Sequence, residues 1–245
     1  MRYGLTLKFW ARVFVDAASV GGKLDQAKAL ATAIGTPALT PQAILERRED
    51  GGTRQRFLLH QPEEGWQLAL LSESFDLVRQ PTTETQGSNM GQLEGFAKDA
   101  ARILGLAVEH YGRHGHRVAL VQEGLLPETD NTSMEAMRKK LLRAPEDDVP
   151  PFEWDWRVGH VRSISVAGTN ENINAFTHVR RAEISVGTQE DQRDFDAIFV
   201  QHDVNTVPKN TRARFGADGV ADFFKHAVEH HSRLMASLSQ LVGVK

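Results

Sequence analysis

The strongest constraint on the fold is an order of elements that runs through the chain and then starts again. In "GLTLKFWARVFV", Leu5, Leu7, Phe9, Ala11, Val13 and Val15 share one parity, as a half-buried strand requires. Leu24, Ala27, Ala31 and Ile34 then mark a helix, and Thr40 with Pro41 reads as the N-cap and first turn of a short helix reaching Arg48. Three extended segments follow, "TRQRFLLHQ", "GWQLALLS" and "SFDLVRQ". Leu93, Phe96, Ala100, Ile103 and Ala107 form the stripe of a long helix ending near Gly112.

The second half repeats the series. "HRVALVQE" is a strand, and Thr132 with Glu135 forms a capping box before a helix bearing Met134, Met137 and Leu141. "FEWDWRVGHVRSISV", "INAFTHVRRAEISV" and "FDAIFVQHDV" are strands, and a closing helix runs from about Asp218 to Val242. "LEGFAKDA" aligns with "VADFFKHA", and "SFDLVRQ" with "DFDAIFVQ". The expectation is an α+β tandem duplication of a strand-helix-three strands-helix unit. Residues 1–114 and 115–245 form the two repeats, possible as one continuous domain. Each lays helices on one face of an antiparallel sheet, in the manner of TATA-binding-protein or ferredoxin-like shapes.

Composition narrows the function classes. The 245 residues carry 29 Lys and Arg against 32 Asp and Glu, a formal net charge of -3, so no global field attracts nucleic acid or anionic lipid. The absence of cysteine excludes disulfides, thiolate metal sites and a Cys nucleophile, and suits a reducing cytoplasm. The first residues lack the apolar run of a secretory signal or membrane span.

Histidine is over-represented, at 10 residues. His226, Glu229 and His230 spell H-x-x-E-H, a zinc-peptidase helix signature. Val220, Phe223, Phe224, Ala227, His231, Leu234, Leu238 and Leu241 make the apolar stripe of that helix, which turns His226 and His230 outward. No third ligand follows them, so the reading is a packing helix with no metal or cofactor, and His231 is a core histidine with a partner.

A second constellation lies in "GHVRS" and "THVRR". A register placing His160 opposite Arg180 and Arg162 opposite His178, with His202 opposite His178 on the next strand, gathers these side chains into an anion site. A one-residue slip on any strand reverses its face. Phe152, Trp154 and Trp156 share one face of an aromatic strand and suit a core or a partner contact, since Glu153, Asp155 and the acidic Glu146 to Asp148 oppose a phosphate backbone.

The element order, with "HRVALV" before a helix and "DFDAIFV" before the C-terminal helix, resembles a sporadically distributed, uncharacterised bacterial family of similar length. Its members carry an R-x-x-L-R-Y-x-N type strand. Arg117 and Leu120 fit that pattern, while Val121 and Gln122 depart from it. The resemblance implies a bacterial accessory protein and transfers no catalytic residue. With no complete catalytic constellation, the expected function is a non-catalytic binding or assembly protein, self-associating or joined to a protein partner. A hydrolase or phosphodiesterase built on the His/Arg cluster is the alternative, and nucleic-acid binding without catalysis a further one.

Overall fold

The computed structural model describes residues 2–47, 50–82, 90–142, 151, 153–186 and 193–243. The first half contains β1 (Leu5–Phe14), α1 (Leu24–Ile34), β2 (Thr40–Arg47), β3 (Thr53–Gln61), β4 (Trp66–Leu70), β5 (Ser74–Arg79) and α2 (Leu93–His110). The second contains β6 (Arg117–Leu125), α3 (Asn131–Leu141), β7 (Asp155–Val166), β8 (Thr169–Val186), β9 (Arg193–Thr206) and α4 (Ala217–Val242). The nine strands among the described residues join one antiparallel sheet in the order β2-β3-β4-β5-β1-β6-β9-β8-β7, and the helices pack on one side of it. The fold is α+β.

The two halves meet where β1 lies antiparallel to β6, from Leu5 opposite Leu125 to Phe14 opposite Arg117. In each half the last strand returns to pair with the first, β5 with β1 and β9 with β6. On the helix side α2 packs against α4 across the same junction. The main core crosses the division between halves: Phe9, Ala11 and Val13 of β1 and Phe96, Ile103 and Ala107 of α2 pack in one cluster with Ile173, Val204, Phe223 and Ala227. A satellite cluster forms under α3, with Met134, Met137 and Leu141 against Trp154, Val179, Val200 and Leu238.

Three local expectations are corrected. Thr40 and Pro41 begin an edge strand, not a helix: β2 pairs only with β3, and an edge tolerates a residue without an N–H. A register shift between Thr6 and Lys8 takes Leu7 off the inward stripe of β1, which starts at Phe9. The cap of α3 is Asp130, whose carboxylate accepts the Ser133 N–H at 2.8 Å, while Glu135 pairs with Arg138.

The long loop leaving β1 is fastened by a buried arginine. Arg56 on β3 is 1% exposed; it donates to the Ala17 carbonyl at 3.2 Å, the Ala18 carbonyl at 3.1 Å and the Val20 carbonyl. Its Nε donates to Glu46 at 3.1 Å, and Ser72 joins the two side chains by accepting from Arg56 and donating to Glu46.

Candidate functional site

The five His and Arg residues expected to converge are divided between the two faces of the sheet. Asp155, not His160, stands opposite Arg180, an odd displacement of five residues that turns His160 and Arg162 to the helix side. His202 pairs with Thr177, one residue from the expected partner, and also faces the helices. His178 and Arg180 remain on the open face, so no single site contains all five.

The hairpin turn explains the displacement. Val166 pairs with Thr169, leaving Ala167 and Gly168 as a two-residue turn with φ of 47° and 77°. Positive φ at both positions fits the twist of paired strands, and Asn-Gly or Asp-Gly usually supplies it. Here the Asp222 carboxylate of α4 accepts the Ala167 N–H at 2.8 Å and holds the turn.

The open face is built from side chains that alternate with the core positions. Lys8, Trp10, Arg12 and Phe14 project from β1 opposite Glu123, Val121, Ala119 and Arg117 of β6. Asn205, Asp203, Gln201 and Phe199 continue the face on β9, and Asn174, Phe176, His178 and Arg180 on β8. Its recurrent unit is a guanidinium on an aromatic ring. Arg12 lies 4.3 Å from the Trp10 ring and Arg117 4.6 Å from Phe14; Arg157 lies 4.8 Å from Phe176 and Arg180 4.7 Å from Phe199.

Carboxylates are interspersed with these cations on the same face. Arg12 makes a two-pronged pair with Asp76, its Nε donating at 2.6 Å. His178 lies 2.6 Å from Asp155, and Gln201 donates to Glu123 at 2.8 Å. Burial raises the Asp203 carboxyl above the ordinary range, against the opposing effects of the Asn205 amide, Arg117 and Arg157. The face is thus apolar in its rings, specific in its hydrogen bonds and close to balanced in charge. Among the described residues, no helix covers it.

From sequence, Phe152, Trp154 and Trp156 suit a core or a partner contact. Phe152 lies outside the described residues, and Trp154 is buried in the satellite core with Trp156 half-buried beside it. Trp156 in β7 and Trp154 just before it share a parity that points to the helices. The signal that marks the open face was present in "KFWARVF", whose outward positions hold Trp10 and Phe14 where a solvated strand would carry polar residues.

On the helix side, His226 is partly exposed and lies 3.8 Å from Asp222. His230 is buried, a correction to the outward placement read from the helix stripe, because β7 and β8 overhang that part of α4. Among the described residues, no three His, Asp or Glu side chains gather as a metal site. His231 donates from Nε2 to the Leu120 carbonyl at 3.0 Å, and His202 Nδ1 lies 3.2 Å from the Thr177 hydroxyl. Their rings meet edge to face at 6.1 Å. Burial lowers the His202 pKa to about 3, aided by His231, and burial likewise lowers His231 to about 4. Both imidazoles are neutral at physiological pH. Comparison with protein-family models and with curated proteins gave no match.

Proposed function

We propose that this is a bacterial cytoplasmic binding or assembly protein that engages a protein partner, or a second copy of itself, through the open sheet face. One observation carries the reading: guanidiniums stacked on Trp10, Phe14, Phe176 and Phe199, on a face that no helix among the described residues covers. Aromatic and arginine side chains are enriched at protein interfaces and lysine is depleted there. Lys8 is the lone lysine among the paired positions just described.

The dimensions support it. Nine strands spaced about 4.8 Å apart make a surface roughly 40 Å wide, and about eight residues of strand give it a length near 25 Å. That exceeds the roughly 800 Å² each partner contributes to a standard interface. Phosphate binding is the weaker reading, because Lys8, Arg12, Arg117, Arg157 and Arg180 are set against Asp76, Glu123, Asp155 and Asp203. The alternative hydrolase built on the five His and Arg residues loses its site with their separation onto two faces. The mirrored pairing of β5 with β1 and β9 with β6 supports a tandem duplication.

A photo-crosslinking residue in place of Phe14 or Phe199, with Leu241 as a helix-side control, tests the face. The expected outcome is a discrete adduct with one protein, or with a second copy, from the sheet positions alone. Equal crosslinking from the control, no adduct from either sheet position, or tight binding of single-stranded nucleic acid that weakens steeply with salt would overturn the reading.

A further inference from the structure

Two motifs that look unrelated in sequence, "GHVRS" and the H-x-x-E-H helix, meet in space. β7 turns Trp156, Val158, His160 and Arg162 toward α4, which answers with His230, Arg233, Leu234, Leu238 and Leu241. Thr177 and Ser237 complete a cleft of about 190 Å³. The order of side chains along the two elements gives the cleft two unlike ends. From Trp156 to Arg162 the strand passes from apolar to cationic; from Arg233 to Leu241 the helix passes from cationic to apolar.

The charge at the polar end is uncompensated within the cleft. Among the described residues, no acidic side chain lines it, and the exposed Arg162 has no ion-pair partner. Arg233 has only the loose, solvent-exposed Glu229 at 3.7 Å. Buried His230 feels both guanidiniums: burial, then Arg233 and Arg162, lower its pKa, with Glu229 acting the other way and His226 adding to the lowering. Two exposed guanidiniums that both act on the buried His230 imidazole favour a carboxylate or phosphate head. An apolar wall of Trp156, Val158, Leu234, Leu238 and Leu241 favours a hydrocarbon tail.

We infer that this cleft binds a small amphipathic anion, with its head between Arg162 and Arg233 and its tail against Trp156 and Leu238. A volume of about 190 Å³ lies below the roughly 300–1,000 Å³ of pockets for drug-sized ligands, which restricts the bound part to a small molecule. A medium-chain carboxylate or monoalkyl phosphate has that size. The cleft lies on the helix side of the sheet, so it is separate from the open face.

Calorimetric titration with octanoate and with monooctyl phosphate, followed also by Trp156 fluorescence, is the test. Trp156→Phe identifies the reporting indole. At least one of the two anions is expected to bind, octanol and octylamine at least tenfold more weakly, and Arg162→Gln to reduce affinity about tenfold with unchanged circular dichroism. Which of the two heads binds better identifies the source of the anion. Octanol binding as tightly as octanoate, or Arg162→Gln and Arg233→Gln both binding like the parent protein, would overturn the inference. So would failure of both anions to bind the parent protein.

Discussion

Acidification should unfold this protein through two histidines that the native state keeps neutral. His202 and His231 sit between sheet and helices with folded pKa values lowered to about 3 and about 4, from an ordinary value of 6.5. Above the ordinary value neither state binds the proton, and stability is fully present. Below it the unfolded chain takes up protons that the fold refuses, so stability falls from 6.5 downward through the two folded values. At pH 5 an unfolded imidazole is about 1.5 pH units below its pKa. At 1.36 kcal/mol per unit this favours unfolding by about 2 kcal/mol for each histidine, about 4 kcal/mol for both. Since both folded values lie below pH 5, the figure is governed by the unfolded-state pKa. Against a typical total of roughly 5–15 kcal/mol this is a large loss. With a urea slope of about 3 kcal/mol per molar, the unfolding midpoint should fall by roughly 1 to 2 M between about pH 7.5 and pH 5. Replacing His231 with Gln should remove about half of this change, measured relative to the variant's own midpoint at pH 7.5. A midpoint that stays constant with pH, or a variant with the parent's full slope, would refute the assignment of the acid sensitivity to these side chains.

Other substitutions probe separate parts of the fold. Arg56→Met should cost about 3–5 kcal/mol by equilibrium unfolding, since it strands Glu46 and the Ala17, Ala18 and Val20 carbonyls. Burial pushes the Glu46 pKa up, but the Ser72 hydrogen bonds and Arg56 outweigh it and hold it below the usual carboxylate range. Its contribution is present above the unfolded carboxylate pKa and is lost as pH falls through the folded value, and Arg56→Met should flatten that limb of the stability curve. Ala167→Gly should raise the unfolding free energy by roughly 1 kcal/mol, because an L side chain at φ 47° carries a steric cost that glycine avoids. Gly159→Ala places a Cβ 2.3 Å from the Phe176 ring, so the ring and the Arg157 stacked on it must move. It should weaken partner crosslinking at the open face more than it shifts the melting temperature.

The elements of this fold were more legible than their registers. α2 and α4 announce themselves because Phe96, Ala100, Ile103 and Phe223, Ala227, Leu234 repeat at the helical period and face one core. Thr40 and Pro41 imitate a helix start, yet pairing with β3 decides the segment, and that partner is remote from any local window. The His/Arg cluster failed at one turn. "TNEN" carries the stronger turn composition, but the chain reverses earlier, at Ala167 and Gly168, where an alanine occupies a position usually given to Asn, Asp or Gly. Help for that turn comes from Asp222, 55 residues away. An odd displacement then moved His160 and Arg162 from the imagined sheet cluster to the cleft against α4. Parity within β7, β8 and β9 was readable; which parity faces the helices was not.

The central position of β1 has a consequence for how the chain is made. β1 leaves the ribosome before the other described strands yet lies in the middle of the sheet, and its neighbour β6 is translated roughly 110 residues later. At about 5–20 residues per second, β1 waits on the order of ten seconds with one backbone edge unpaired, even after β5 has closed the other side. During that interval the edge is a template for any extended segment, including β1 of a neighbouring nascent chain. Arrival of β6 ends the exposure by filling the edge from Leu5 to Phe14. A ribosome that stalls before Arg117 therefore releases a product whose most reactive edge is the one the nine-stranded sheet hides deepest.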